Sequence, residues 1–247
     1  MNTRTLATLA AAALAATAFA LEPEDREAIR PKGPADTPVL LIGDSMMRIL
    51  GIQSEKAFKK AGIEPVAAFS SLGSGLVRSS VFNWSKKIDE LFDEHKPKTV
   101  FVALGTNDRQ ALELPDGSIV PYQDAAKWRE GYSALVGGVM DQCLAREAEL
   151  VVWLVPPDMK DAANQEHAQL IADIVVKEAL KENRKGKVQV LDLAQILSVK
   201  PGTYSQYKMD PATGGPLSVR DPDGVHLSVD GAKLVARALI RQYFKKK

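Results

Sequence analysis

Short, continuous runs of apolar residues recur along the chain from residue 39 onwards, and stretches with helical spacing lie between them. The apolar runs cover 39–42, 65–69, 99–104, 150–155 and 188–193, and the helical stretches cover 46–61, 79–95, 124–148, 162–183 and 229–244. An apolar run without polar alternation is typical of a strand that is buried on both faces. Strands that alternate with helices form βαβ units, in which the strands lie parallel. The pattern therefore predicts one three-layer α/β/α domain over residues 38–247, built on a five-stranded parallel sheet.

The first 37 residues fall outside this alternation. Residues 1–20 contain one basic residue, Arg4, then an alanine-rich apolar run that ends in Ala18-Phe19-Ala20, which is typical of a secretory signal peptide cut after Ala20. A transmembrane anchor is the alternative, but the run from Leu6 to Ala20 has 15 residues, and a bilayer-spanning helix needs roughly 20. Residues 21–37 are charged and proline-rich, so we expect an extended lead-in. A periplasmic or secreted protein with no stable membrane insertion after cleavage is expected.

Composition and charge make some classes of function less expected. The 247 residues include 32 Lys and Arg against 31 Asp and Glu, a formal net charge of +1. That balance gives no reason to expect a nucleic-acid partner. The chain has one cysteine and three histidines, so an intramolecular disulfide is excluded and we expect no metal site.

Four polar segments follow apolar runs or precede the last helix. They are 43–46, 70–75, 105–109 and 223–226. Ligands of open parallel sheets bind at the carboxyl ends of the strands. We therefore expect these four segments to converge at one edge of the sheet.

The residue types in these segments suit acyl transfer. A serine hydroxyl becomes a nucleophile when an imidazole removes its proton, so Ser45 and His226 are the candidate pair, with Asp223 to orient the imidazole. The backbone N–H of Gly73 and the side-chain amide of Asn107 are candidate donors to an oxyanion. Each segment by itself is also an ordinary turn or helix cap, and only the combination favours catalysis.

The same segments resemble the sequence blocks of the SGNH hydrolases, also called GDSL-like esterases. The matching motifs are Gly43-Asp44-Ser45, Gly73, Gly105-Thr106-Asn107-Asp108 and Asp223-Gly224-Val225-His226, in that order. The similarity covers about residues 39–244 and extends to the DUF459-like periplasmic branch. The features shared with that branch are Asn107-Asp108-Arg109-Gln110, Trp128 with Tyr132, Trp153 with Pro156-Pro157, and Tyr204, Asp210, Gly214, Arg220 and Asp223.

The resemblance implies a fold, a set of roles and an activity. The fold is flavodoxin-like, with strand order 2-1-3-4-5. Ser45 is the implied nucleophile, with Asp223 and His226 as the rest of a triad, and the Ser45 N–H joins Gly73 and Asn107 in an oxyanion hole. The implied activity is hydrolysis or transfer of small acyl groups without a cofactor or metal.

Aromatic and hydrogen-bonding residues near the expected site suggest a sugar substrate, because sugar C–H faces pack on rings while hydroxyls bond polar groups. The candidates for substrate binding are Arg109, Tyr204 and Arg220. Trp128 and Tyr132 are placed equally well in the core, since they are four positions apart on a helix. The preferred hypothesis is an esterase that removes O-acetyl or other short acyl groups from an envelope or exported polysaccharide. An O-acetyltransferase acting on glycans and a non-catalytic carbohydrate-binding or assembly protein are the alternatives.

Several other residues are expected to be structural. Asp44 is predicted to cap the helix that carries Ser45, and Asp108 to hold its own loop through nearby backbone N–H groups. Cys143 is predicted to be a buried thiol. His167 follows Gln165 and Glu166, so we expect a solvated side chain.

Overall fold

The computed structural model describes residues 37–211 and 213–244, so the predicted signal peptide and all but the last residue of the predicted lead-in lie outside the described part. The strands in chain order are β1 (Val39–Gly43), β2 (Val66–Ser70), β3 (Thr99–Ala103), β4 (Leu112–Glu113), β5 (Ile119–Val120), β6 (Leu150–Val155), β7 (Val188–Asp192), β8 (Tyr207–Met209) and β9 (Pro216–Ser218). The helices are α1 (Ser45–Lys60), α2 (Trp84–His95), α3 (Ala125–Ala145), α4 (Ala162–Ala179), α5 (Ala194–Leu197) and α6 (Val229–Tyr243).

The central sheet contains five strands in the order β2-β1-β3-β6-β7. All four neighbouring pairs are parallel. This is the predicted three-layer fold, and the strand order implied by the family resemblance is confirmed.

Helices cover both faces of the sheet because its central strands are apolar on both sides. In β3, Val100 and Val102 face a core that includes residues of α2, α3 and α4. Phe101, between them, faces the opposite core, where Phe58 of α1 and Leu234 of α6 lie. Alternate residues of a strand point to opposite faces, so one apolar run supplies both cores.

The structure differs from the prediction mainly at helix ends and in loops. The helix predicted over 79–95 begins at Trp84, because Asn83 caps it by accepting a 2.9 Å hydrogen bond from the Lys86 N–H. The helices predicted over 124–148 and 162–183 end at Ala145 and Ala179. Two hairpins, β4–β5 and β8–β9, and the short helix α5 were not predicted. Elements of two to four residues are too short to show a periodic pattern.

Among the described residues, no helix has both the length and the apolar character needed to cross a bilayer.

Candidate active site

The first loop of the site joins β1 directly to α1. Gly43 ends the strand, and a Cβ there would lie 2.3 Å from the Ala103 carbonyl oxygen, so only glycine fits. Asp44 caps the helix as predicted, since its side chain accepts a 2.9 Å hydrogen bond from the Met46 N–H. Ser45 is the first residue of α1 and is partly exposed. The helix therefore presents the Ser45 hydroxyl at its positive end, where developing negative charge is stabilised.

Three side chains form a hydrogen-bonded series above this helix end. Ser45 Oγ lies 2.8 Å from His226 Nε2, although the two residues are 181 positions apart. His226 Nδ1 lies 2.6 Å from Asp223 Oδ2. With the proton on Nδ1 donated to the carboxylate, Nε2 presents a lone pair to the serine hydroxyl. The sequence-predicted candidates for nucleophile, base and orienting acid thus lie together in the order that nucleophilic catalysis needs.

Asp223 is itself held by the turn that carries it. Its Oδ1 accepts hydrogen bonds from the backbone N–H groups of Val225, at 2.8 Å, and His226, at 3.0 Å. Partial burial raises the pKa of Asp223, but the hydrogen bonds from the His226 side chain and from these two N–H groups outweigh it and lower the pKa to about 2. The carboxylate is therefore ionised at neutral pH and accepts the Nδ1 proton.

The predicted oxyanion donors come from three different loops. As the first residue of α1, Ser45 has no intrahelical carbonyl to accept its N–H. Gly73 is exposed and has a φ of +68°, and a Cβ there would meet nothing within 4 Å. The requirement for glycine at this position is thus the backbone conformation, not close packing. Asn107 Nδ2 donates to the Ser74 carbonyl at 2.8 Å, and the amide keeps a second hydrogen for a ligand.

Asp108 is completely buried and joins the second and third loops. Its carboxylate accepts hydrogen bonds from the backbone N–H groups of Leu76 and Val77, at 3.1 and 3.3 Å, and from the Tyr132 hydroxyl at 2.9 Å. Its backbone partners thus lie on the loop after β2, instead of on its own loop as the sequence suggested. Burial raises the pKa of Asp108, and these three donors oppose the rise.

A second buried carboxyl group lies below the nucleophile. Asp44 is completely buried, and burial, together with the charge of Asp108, raises its pKa to about 7, although hydrogen bonds from backbone N–H groups oppose the rise. Its Oδ1 caps α1, and its Oδ2 has no partner within ordinary hydrogen-bond distance among the described residues. The loop that carries Ser45 therefore contains a buried carboxyl group that titrates near neutral pH.

The three residues predicted to bind substrate have different environments. Arg109 is exposed. Arg220 is only 1% exposed, and all its donor nitrogens are directed at protein acceptors, which corrects the expectation that it binds substrate. The Tyr204 ring lies 5.3 Å from the Arg220 guanidinium, and its hydroxyl is buried. Arg109 is therefore the most exposed of the three, and the Tyr204 side chain is partly exposed.

Trp128 and Tyr132 belong to the core. Both side chains are completely buried, and their rings stack with centroids 4.7 Å apart. The Trp128 Nε1–H donates to the Gln110 carbonyl at 2.8 Å. These aromatic rings pack beneath the loop after β3, in the core, and do not contact a substrate.

His167 is buried, so the expectation of a solvated side chain is wrong. Its Nε2 lies 2.9 Å from the Gly105 carbonyl, and its Nδ1 lies 3.1 Å from the Tyr122 hydroxyl. Burial lowers the pKa of His167, which favours a neutral ring that donates to Gly105. The helical spacing of His167 with Ile171 and Ile174, both buried, is the sequence signal that could have placed it on the inner face of α4.

His167 also lines a cavity beside the oxyanion loop. The cavity has a volume of about 180 Å³, and polar and apolar side chains share its wall. Its lining residues are Thr106, Asn107, Pro156, Met159, Asn164, His167, Ala168 and Val225. Since Asn107 is a candidate donor and Val225 precedes His226, a ligand in this cavity adjoins both.

The described residues outside this site include one cysteine and several carboxylates, which are possible reactive or metal-binding groups. Cys143 is buried as predicted, and burial raises the pKa of its thiol to about 12. Within 37–211 and 213–244, no three His, Cys, Asp or Glu side chains gather as potential metal ligands.

Comparisons with known proteins agree with this architecture. The profile of a family described as "Protein of unknown function (DUF459)" matches residues 38–242. No curated protein sequence matches the chain significantly. Solved structures with a similar fold include a lipase/acylhydrolase from Enterococcus faecalis, at 18% identity and a TM-score of 0.50, covering 85% of this chain and 98% of that one. A catalytic mutant of an acetylxylan esterase from Geobacillus stearothermophilus matches at 15% identity and a TM-score of 0.53, covering 87% and 97%.

The family match spans most of the chain, and the parallel sheet has the order that the sequence motifs implied. The chain therefore belongs to the DUF459 family and has the α/β/α fold of the SGNH hydrolases.

Proposed function

We propose that the protein is a serine esterase that hydrolyses short acyl esters, foremost O-acetyl esters, on an envelope or exported polysaccharide. One observation carries the proposal: Ser45 Oγ, the His226 imidazole and the Asp223 carboxylate are joined by contacts of 2.8 and 2.6 Å. Such a series converts a hydroxyl into a nucleophile at neutral pH. The export of the protein rests on the sequence of residues 1–20.

The first half of the reaction follows from this geometry. His226 Nε2 takes the Ser45 proton as Oγ attacks the acyl carbonyl, and the carbonyl π electrons move to oxygen. The tetrahedral oxyanion accepts hydrogen bonds from the N–H groups of Ser45 and Gly73 and from the Asn107 amide. The intermediate then collapses, the bond to the alcohol oxygen breaks, and His226 gives its proton to the departing alcohol. Ser45 is left acylated.

The second half uses water as the nucleophile. His226 removes a proton from water, the resulting hydroxide attacks the acyl group, and Ser45 leaves with the proton held by His226. The carboxylic acid is released and Ser45 is regenerated. The side chains of His226 and Asp223 are 38% and 48% exposed, so water has ready access to the base.

The size of the cavity beside Asn107 favours a small acyl group or a single sugar unit as the part of the substrate that binds there. Its volume of about 180 Å³ corresponds to the space of roughly six liquid water molecules. The fold shared with an acetylxylan esterase is consistent with an acetylated polysaccharide as substrate.

Hydrolysis of p-nitrophenyl acetate by wild type and two alanine variants tests the proposal. Ser45→Ala is expected to lower kcat by at least about 10³-fold. Ser54→Ala is the matched control, because it removes a buried hydroxyl from the same helix, and its kcat should equal that of wild type. Equal rates in all three proteins would favour a non-catalytic carbohydrate-binding protein.

A panel of acyl esters then tests the substrate class. Acetate release from acetylated glycans, with rates that fall as the acyl chain lengthens, is the expected result. Cleavage of long-chain lipid esters without acetate release would contradict the substrate assignment. Acetylation of an added acceptor sugar, with little free acetate, would identify a transferase.

A further inference from the structure

Arg220 is a buried cation that forms no ion pair among the described residues. Its side chain belongs to the largest fully buried side chains of the protein. Among the described residues, no carboxylate oxygen lies within ion-pair distance of Arg220. The arginines that do form ion pairs there are Arg146, Arg184 and Arg237. Burial lowers the pKa of the Arg220 guanidinium, although the negative charges of Asp158 and Asp223 oppose the fall. The lowered pKa reflects the cost of removing the group from water. A group that is this costly to bury requires a compensating interaction.

The compensation comes from backbone carbonyls, and three of them are consecutive. Arg220 donates to the carbonyl oxygens of Gly224, Val225 and His226 at 3.3, 2.7 and 3.3 Å. These carbonyls belong to the turn between Asp223 and His226. A fourth acceptor, the Asp158 carbonyl at 2.5 Å, lies just beyond the end of β6. The guanidinium thus attaches the turn that carries two site residues to the rim of the central sheet.

Other contacts of the turn do not replace this attachment. Asp221 N–H donates to the His226 carbonyl at 2.9 Å, and Arg220 and Leu227 form an isolated bridge. Both contacts lie at the base of the turn. At its tip, the N–H groups of Val225 and His226 donate to Asp223, so they stabilise the turn internally without fixing its position above Ser45. Fixing that position requires contacts outside the turn. The guanidinium provides three of them, beside the bond from the Lys160 N–H to the Gly224 carbonyl and the packing of Val225 against the hydrophobic core.

We propose that Arg220 is a positioning residue for His226: by binding three consecutive carbonyls of the 223–226 turn, it holds Nε2 within hydrogen-bond distance of Ser45 Oγ. The proposal rests on the function proposed above. The Tyr204 ring covers the guanidinium at 5.3 Å and maintains its orientation. Lysine cannot substitute, because an ammonium is a compact charge without the planar fork that reaches the Asp158 and Val225 carbonyls together.

Arg220→Lys tests the proposal, with Arg184→Lys as the matched control. Arg184 is also a buried arginine, but it pairs with Asp141 and Glu178 between α3 and α4. Both variants are expected to lower the melting temperature. Arg220→Lys should in addition lower kcat by about 10- to 100-fold, since a displacement of the order of 1 Å has that effect, with KM changed less than about twofold because the substrate contacts remain. Arg184→Lys should leave kcat unchanged.

A spectroscopic signal reports the position of His226 without any substrate. The Nδ1 proton between His226 and Asp223 gives a low-field proton NMR resonance, which should weaken or disappear in Arg220→Lys and persist in Arg184→Lys. If Ser45→Ala retains wild-type activity, the proposed function fails, while this resonance still tests the positioning. A folded Arg220→Lys protein with wild-type kcat and an intact resonance would overturn the role of Arg220 alone.

Tyr204→Leu provides the same test if Arg220→Lys does not fold. Loss of the ring loosens the guanidinium without removing it, so we expect kcat to fall by about two- to tenfold and the resonance to broaden. Wild-type kcat together with an unchanged resonance in this variant would also overturn the proposal.

Discussion

Asp108 Oδ2 accepts a 3.1 Å hydrogen bond from the Leu76 N–H, across 32 positions of sequence. This bond joins the loop after β3 to the loop after β2. The loop after β3 carries Asn107 and the loop after β2 carries Gly73, so one buried carboxylate holds together the two loops that supply these candidate oxyanion donors. A Cβ at Gly75 would lie 2.0 Å from Asp108 Oδ1, which explains why the second loop has glycine where it passes the carboxylate.

Asp108→Asn is expected to weaken both the fold and the reaction. An amide nitrogen in place of one carboxylate oxygen would face an N–H group, which leaves buried donors unpaired and costs about 1–3 kcal/mol in the free energy of unfolding. The kcat for p-nitrophenyl acetate should fall as the two donor loops separate. Asp116→Asn is the control, because Asp116 is exposed and accepts bonds only within its own turn. Urea unfolding that gives equal stability for Asp108→Asn and wild type would contradict this role.

The buried carboxyl group of Asp44 predicts a pH dependence of stability. Its pKa is about 7 in the folded protein, against 3.8 ordinarily, so the folded state binds more protons than the unfolded state between these values. Stability contributed by protonated Asp44 is therefore complete below about pH 3.8 and is lost as the pH rises to about 7. Asp44→Asn keeps an oxygen to cap α1 and cannot ionise.

The measurement is the free energy of unfolding of wild type and Asp44→Asn by urea at intervals from pH 4 to pH 8. The difference between the two proteins should shift in favour of the variant across this range and become constant above about pH 7. A difference that does not change with pH would show that Asp44 does not titrate within this pH range.

Asp223→Asn tests the role of Asp223 in orienting the imidazole without a large effect on the stability of the fold. The asparagine oxygen can still accept the N–H bonds of Val225 and His226, but its amide cannot hold a proton on Nδ1. The ring then presents the wrong tautomer to Ser45, and kcat should fall by roughly 10²- to 10⁴-fold. Because the side chain is half exposed, the melting temperature should change little. A variant with wild-type kcat would remove Asp223 from the mechanism.

Two glycine substitutions distinguish backbone conformation from packing. Gly73 has a φ of +68° and Gly138 lies on α3, and a Cβ would meet no atom within 4 Å at either position. Gly138→Ala should stabilise the protein by about 0.5–1 kcal/mol. Gly73→Ala should destabilise it by about 1–2 kcal/mol and lower kcat, because relaxation of the strain would turn the N–H away from the oxyanion. Thermal unfolding that shows the same sign for both variants would contradict this account.

Much of the fold could be predicted from the sequence, because the central strands are continuous apolar runs that are bounded by glycine and proline. The meeting of Ser45 and His226 was predictable for a related reason: the carboxyl ends of parallel strands lie on one edge of the sheet. The family resemblance supplied the strand order.

Charged and polar residues in loops and on helices were harder to place. Arg220 lies in a loop rich in glycine and proline, and its residue type does not distinguish a guanidinium that faces a sugar from one that binds carbonyls of its own chain. His167 has polar neighbours in sequence, yet it faces inward because α4 packs its 167–171–174 stripe against the sheet. Both misplacements arise from tertiary contacts that local patterns do not contain.

The central claim is that Ser45 becomes acylated, and covalent labelling measures this most directly. The protein is incubated with p-nitrophenyl acetate, quenched in acid during the burst phase, digested and examined by mass spectrometry. We predict one acetyl group on the peptide that contains Ser45, released on longer incubation, and no label at that peptide in Ser45→Ala. Turnover of the ester with no acetylated Ser45, or an equal burst in the variant, would contradict the account.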